Sequence, residues 1–359
     1  MTIEQRREKL ESLGRFLNQF KRSGLAKDDN LPHNDPYFDL LKEKIEQAVH
    51  YNGWFTLENV LFSLEQWSEA LTKENLQKWL SNYDFGQVES RTVGIIMAGN
   101  IPLVGFHDFI SVLVCGHKVL VKQSSNDKLL LPVIADYLKA IAPDWREKIE
   151  ILPDSADGAS KMTDYDAIIA TGSNNTARYF EYYFAKKPSI IRKNRNSVAV
   201  LTGEETPEEL SALAEDIFRY YGLGCRNVSK IYVPKDYDFN AFFEAIYNWN
   251  SIINQAKYAN NYDYNKAVYL MSQFQLLENG FLILKEDRSL SSPIATLFYE
   301  RYEDLQAVKE ELESRKEEIQ CVVGKNVVGQ EVSFGQTQQP HLWDYADNVD
   351  TLAFLTQKV

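Results

Sequence analysis

Cysteine is scarce in this chain. Three occur in 359 residues, Cys115, Cys225 and Cys321, far apart in the sequence. An odd, sparse set does not make a disulfide framework and points to a reducing compartment, so a cytoplasmic protein is expected. Positive charge is in deficit too. Lys and Arg number 39 against 51 Asp and Glu, a net charge of −12. That balance argues against wholesale binding to nucleic acid or an anionic membrane, and any polyanionic ligand needs a local basic pocket. Long apolar runs are missing; none approaches the roughly 18 residues of a membrane span. Met1 to Asn18 carries scattered charges and no apolar core, so it does not read as a signal peptide. No Gly-x-Gly-x-x-Gly occurs, so no motif supports an ordinary dinucleotide site. Internal repeats and low-complexity segments are absent, and no metal site is expected.

What is present is ordinary for a folded protein with a sizeable core. The hydrophobic fraction is 44% and the charged fraction 25%, and the length suggests two domains. The first ninety residues read as helices: Ile3 to Phe20, Tyr37 to Tyr51 and Thr56 to Tyr83, with Trp54, Trp67 and Trp79 as packing residues. The texture changes at Arg91. Short apolar runs, Thr92 to Ala98, Lys118 to Lys122, Ile149 to Leu152, Asp166 to Ala170, Ser189 to Arg192 and Ser197 to Leu201, alternate with helical stretches at Phe106 to Leu113, Leu129 to Ile141 and Thr176 to Phe184. This alternation predicts a parallel α/β sheet. Ligands of such sheets gather at the carboxyl ends of the strands, where Asn100, Ser124, Ser125, Gly172 and Ser173 stand. Further on, Pro207 to Tyr221 and Phe239 to Asn254 read as helices, Ala267 to Gln273, Gly280 to Leu284 and Ala295 to Tyr302 as apolar segments, Leu305 to Lys316 as a charged helix, and Thr351 to Leu355 as a terminal strand.

One stretch draws chemical attention: Tyr220 to Lys230, with Gly222 and Gly224 just before Cys225. Glycines there bring a sulfur close to a ligand without Cβ clashes, and Arg226 and Lys230 add charge that favours a thiolate. The plain alternative is a small apolar residue at a helix end.

Together these pieces resemble the aldehyde dehydrogenase superfamily, and more narrowly its acyl-CoA reductase branch, related to the fatty-acid reductase of bacterial luminescence systems. The likeness runs from about Arg91 to the C terminus. It implies an α/β fold with a Rossmann-like cofactor domain, a second α/β catalytic domain and a helical N-terminal region. In boundaries, 1–90 is the helical N-terminal region of the cofactor domain and 91–201 the Rossmann-like NADP-binding domain. Residues 202–332 form the catalytic domain with the cysteine, and 333–359 a tail returning to the cofactor domain or a dimer interface.

The resemblance also assigns roles. Cys225 becomes the nucleophile, and Asn100, in Gly99-Asn100-Ile101-Pro102, an oxyanion donor; a turn residue before a helix reads equally well at 100. Lys122-Gln123-Ser124-Ser125 stands where the family has Lys-Pro-Ser-Glu against the adenosine ribose. Lys122 and Ser124 match, while Ser125 replaces the carboxylate, which favours NADPH over NADH. Gly172 and Ser173 start the helix beneath the cofactor, a place where free N–H groups attract pyrophosphate; a simple helix cap reads equally well. Hydrolytic relatives carry a water-activating Glu where this chain has Arg192, with Asn194-Arg195 in place of glycines. Arginine stays protonated and cannot be that base. Lys186, Lys187, Arg192, Lys193 and Arg195 put five cations in ten residues of an acidic chain; Arg192 and Arg195 among them are candidates for CoA or NADP phosphates, with a solvated basic face as the alternative. His341 is a candidate proton donor, or a packed histidine among aromatics. The implied activity is NADPH-dependent reduction of an acyl-CoA to an aldehyde with release of CoA, by a homodimer. Aldehyde oxidation, acyl-phosphate reduction or non-catalytic CoA or nucleotide binding are the alternatives.

Overall fold

Local chemistry starts several of the helices. The computed structural model describes residues 1–153, 162 and 164–357. Thr2 caps α1 (Ile3–Leu17): its hydroxyl accepts the Gln5 N–H at 3.2 Å and the Gln5 side chain accepts the Thr2 N–H at 2.8 Å. Leu10, Leu13, Phe16 and Leu17 form the buried stripe of α1. A short antiparallel pair, β1 (Phe20–Lys21) and β2 (Gly24–Leu25), leads into α2 (Asn34–Tyr51). The single helix expected over Thr56 to Tyr83 is two, α3 (Leu57–Ala70) and α4 (Lys73–Leu80). The break falls where Thr72 leaves the helical conformation and caps α4, accepting the Asn75 N–H.

The alternating stretch forms the expected sheet. Its elements are β3 (Thr92–Ile96), α5 (Phe106–Cys115), β4 (Lys118–Lys122), α6 (Leu130–Ile141), β5 (Ile149–Ile151), β6 (Ala167–Thr171), α7 (Asn174–Phe184) and β7 (Ser189–Arg192). The strand order is β5-β4-β3-β6-β7, with every neighbour parallel. Strand β3 starts the sheet, the chain builds outward through β4 and β5, then returns to the other side of β3. That reversal is a topological switch point, where carboxyl ends open a crevice.

A second sheet follows. Its elements are β8 (Asn196–Val200), α8 (Pro207–Phe218), β9 (Val228–Pro234), α9 (Phe239–Ala245), α10 (Ala256–Met271), β10 (Leu276–Glu278), β11 (Ile283–Glu286), β12 (Thr296–Tyr302), α11 (Leu305–Ser314) and β13 (Ile319–Val323). The order is β10-β11-β12-β9-β8-β13, parallel except for the antiparallel β10–β11 edge. The run expected as one helix over Phe239 to Asn254 is α9 followed by 3₁₀ turns at Tyr247–Asn254.

The chain divides into two compact units. Met1–Lys193 with His341–Val359 holds the five-stranded sheet, and Asn194–Pro340 holds the six-stranded one. In the first unit, Leu342, Tyr345, Leu352 and Leu355 join the core formed by α1 to α6. The strand expected at Thr351 to Leu355 is a helix instead, Thr351–Thr356, with Asp350 accepting the Ala353 N–H. Its Leu352 and Leu355, one turn apart, both pack inward, a spacing that a strand would split between two faces. Among the described residues no helix is long and apolar enough to cross a membrane.

Candidate active site

Helix α8 begins as its sequence dictates. Thr206 is the N-cap, Pro207 occupies the first turn, and Glu209 completes a capping box. Its end departs from expectation. The helix stops at Phe218, and Tyr220, Tyr221 and Gly222 take left-handed φ values of 54°, 60° and 76°. The chain then forms the turn Gly224-Cys225-Arg226-Asn227, closed by the Asn227 N–H on the Gly224 carbonyl at 3.0 Å. The Asn227 side chain, buried, accepts the Gly224 N–H at 2.8 Å. Its amide donates to the carbonyls of Asp216, Ile217 and Arg219 at 3.0, 3.4 and 2.8 Å. Ser197, on β8, donates its hydroxyl to the Cys225 carbonyl at 3.0 Å and accepts the Cys321 N–H at 3.1 Å. Cys225 is half-buried and belongs to no disulfide; Cys115 and Cys321 are buried.

The charges beside the cysteine have partners of their own in the fold. Arg226 Nη1 donates to the sulfur of Cys321 at 3.3 Å. Lys230 is fully buried, with Nζ 2.6 Å from Glu300 and 3.0 Å from the Arg288 carbonyl. Its charge is therefore balanced within the sheet by Glu300. Glu205 accepts the Thr202 and Gly203 N–H groups at 2.6 and 3.0 Å, which makes it a loop brace.

In the first unit the expected residues meet at one edge. Asn100 is exposed on the bend after β3, and Lys122, Ser124 and Ser125 follow the neighbouring β4. The Met97 N–H donates to the Lys122 carbonyl at 3.0 Å. A Cβ on Gly99 would lie 2.5 Å from Ser124 Oγ, so only glycine lets these two loops pack so closely. Asp127, which the sequence reading missed, ties them: its carboxylate accepts the Leu103 N–H at 2.7 Å, and Leu103 itself is left-handed at φ 58°. Burial pushes the Asp127 pKa up to about 7, with the Leu103 bond opposing.

Gly172 and Ser173 follow β6, on the other side of β3. Ser173 is the N-cap of α7, its hydroxyl accepting the Thr176 N–H at 3.3 Å. A Cβ on Gly172 would sit 3.0 Å from Thr176 and Phe180 atoms, so the glycine makes room for the helix's own side chains.

The two arginines are engaged in the fold. Arg192 is buried; it meets Asp108 at 2.7 and 3.3 Å, the Ala346 carbonyl at 2.7 Å and Thr351 Oγ1 at 3.0 Å. Arg195 donates to the carbonyls of Lys316 and Ile319 at 3.2 and 3.4 Å. His341 is exposed and stacks on Trp343 with ring centres 4.7 Å apart, while Lys78 covers Trp343 at 3.8 Å.

The model of a known protein family, acyl-CoA reductase (LuxC), matches residues 42–316. The chain belongs to the LuxC acyl-CoA reductase family. It is accordingly an enzyme of the acyl-CoA reductase type, an oxidoreductase of aldehyde-related chemistry. No curated protein matches this LuxC-family sequence. Solved structures do match its fold. The indole-3-acetaldehyde dehydrogenase AldA of P. syringae superposes with a TM-score of 0.64 at 14% identity, over 90% of this chain and 72% of that one. Aldehyde dehydrogenase 21 of Physcomitrella patens gives 0.64 at 12% identity, over 90% and 73%. An aldehyde dehydrogenase of Bacillus cereus, solved as its NAD+ complex, gives 0.62 at 13% identity, over 90% and 72%. The LuxC-family chain thus has the aldehyde dehydrogenase fold that its sequence resembles, at an identity that speaks for the fold alone.

Besides Asp127, two positions that sequence reasoning missed stand out in this LuxC-family chain. Asn227 carried a local signal, since asparagine near a cysteine turn is a turn former. Ser197 carried none, because its hydroxyl finds Cys225 and Cys321 only once three strands lie side by side.

Proposed function

We propose that this enzyme reduces an acyl-CoA thioester to the aldehyde, releasing CoA, through an acyl group carried on Cys225, with NADPH as reductant. The presentation of Cys225 on a turn fixed at both ends carries the reading, together with the family match. A thiolate at Cys225 attacks the thioester carbonyl, a new C–S bond forms, and the bond to CoA breaks, with a proton taken up by the departing thiolate. NADPH, when bound, supplies the hydride that reduces the acyl group. Cys225 then leaves as the aldehyde carbonyl forms, so one acyl-CoA, one NADPH and one proton give aldehyde, CoA and NADP+. The Asn100 amide is the proposed donor to each oxyanion; loss of one such donor typically costs about 10²–10³ in rate.

The first unit suits the reductant. Its parallel sheet opens at the carboxyl edge, α7 begins there with an exposed, capped N-terminus, and Lys122, Ser124 and Ser125 stand together without a carboxylate at 125. A 2′-phosphate would meet no repulsion from that position, which supports NADPH over NADH. The position where hydrolytic relatives carry a base is Arg192, and its guanidinium is committed to Asp108. A homodimer in a reducing, cytoplasmic setting completes the proposal.

The test follows NADPH oxidation with a panel of acyl-CoAs, with free thiol measured in parallel and Cys225→Ala alongside. Turnover with equal thiol release that vanishes in the variant is expected. A folded protein that binds NADPH yet turns over no acyl-CoA would overturn the reading. Turnover of acyl phosphates, or of aldehydes with NADP+, would then name the alternative.

A further inference from the structure

Three successive left-handed residues, Tyr220, Tyr221 and Gly222, precede the cysteine turn. Two of them carry bulky side chains, for which this conformation is costly, and it persists only where surrounding bonds over-determine it. Asn227 supplies bonds on either side of these three residues. Its amide satisfies carbonyls at the end of α8 that helix geometry leaves without intrahelical donors, while its oxygen holds the Gly224 N–H. With 2% of its surface exposed, these bonds are shielded from water. Ser197, wholly buried on β8, grips the carbonyl of Cys225 itself and is in turn held by the Cys321 N–H. One anchor therefore fixes the root of the turn and the other its tip. A loop with only a connecting role would avoid the cost with glycines at 220 and 221.

We propose that Asn227 and Ser197 are positioning residues for Cys225, holding the 224–227 backbone so that the sulfur meets its electrophile in one orientation. The proposal rests on the reading of Cys225 as a nucleophile. Both side chains act through the backbone of the cysteine turn and neither is a catalytic residue.

Alkylation of Cys225 by iodoacetamide reads this without any substrate. The rate is followed by mass spectrometry from about pH 6 to about pH 10, across the ordinary thiol range. Wild type, Ser197→Ala, Ser197→Thr and Asn227→Ala are compared, with kcat, KM for acyl-CoA and the urea midpoint measured on each. Displacement of a reacting group by an ångström costs about 10²-fold. Ser197→Ala is expected to change the alkylation profile and to lower kcat about 10- to 10²-fold, with KM within about twofold; Ser197→Thr, which keeps the hydroxyl, moves both back toward wild type. Variants that lose only urea midpoint, with the wild-type alkylation profile and kcat, would overturn the proposal. Should Asn227→Ala not fold, the Ser197 pair decides alone. A wild type inactive on acyl-CoA, whose alkylation nevertheless shifts in Ser197→Ala, would refute the reductase reading and leave the clamp standing.

Discussion

Arg192 carries a full charge into a site with 4% exposure, and Asp108 meets it there. Removing one partner of such a pair strands the other in a low-dielectric interior, which typically costs about 3–5 kcal/mol. Arg192→Gln is therefore expected to lower stability by about that amount in urea unfolding, and Arg192→Gln with Asp108→Asn to recover much of it. The two readings of Arg192 separate cleanly in this experiment. A raised KM for acyl-CoA with an unchanged urea midpoint would return the residue to the substrate. Sequence alone pointed Arg192 at a phosphate because a cation in an acidic chain invites that reading. Its partner lies 84 residues away, and nothing local announces it. Lys230 makes the same point, since Glu300 is 70 residues distant.

Among the elements, α8 shows best how local and distant chemistry divide. Its start was legible at Pro207, whose fixed φ suits the first turn. Its end was not, because Asn227 reaches back across the cysteine turn to stop it. The buried Asp216 on this helix accepts the Gly335 and Thr337 N–H groups and the Thr337 hydroxyl at 2.7, 2.9 and 2.8 Å. Burial raises its pKa to about 6, against those three bonds. The folded state then holds the proton more tightly than the unfolded chain, so this stability is full below about pH 4 and is lost as pH rises through about 6. Asp216→Asn should gain on wild type in urea midpoint between pH 4 and pH 7; a constant difference across that range would refute this account. From sequence, helix α10 reads only as a short apolar segment at its end, Ala267 to Gln273. Its inward face is Tyr258, Tyr262 and Asn265, whereas Val268, Leu270 and Met271 are exposed, so apolar periodicity pointed the wrong way.

For the whole molecule, burial sorts the three thiols. Cys115 and Cys321 are 2% and 6% exposed, and burial pushes both thiols up in pKa, keeping them protonated. One thiol, Cys225, should react rapidly with a disulfide reagent in the native protein, and all three in denaturant. Two fast thiols in the native protein would contradict the burial pattern. The alternation of apolar strands and amphipathic helices, the helix start at Pro207, the cap at Ser173, and the cysteine turn after paired glycines were readable from sequence, because each depends on neighbours a few residues away. So was membership in the aldehyde dehydrogenase fold, since the motifs occur in the right order. Only tertiary structure decided the rest: that Arg192 is an internal ion pair, that Lys230 answers Glu300, that Thr351 begins a helix, and that Asn227 and Ser197 hold the cysteine. A polar side chain has several possible partners, and which one it takes depends on burial and on strands and helices brought together from far along the chain.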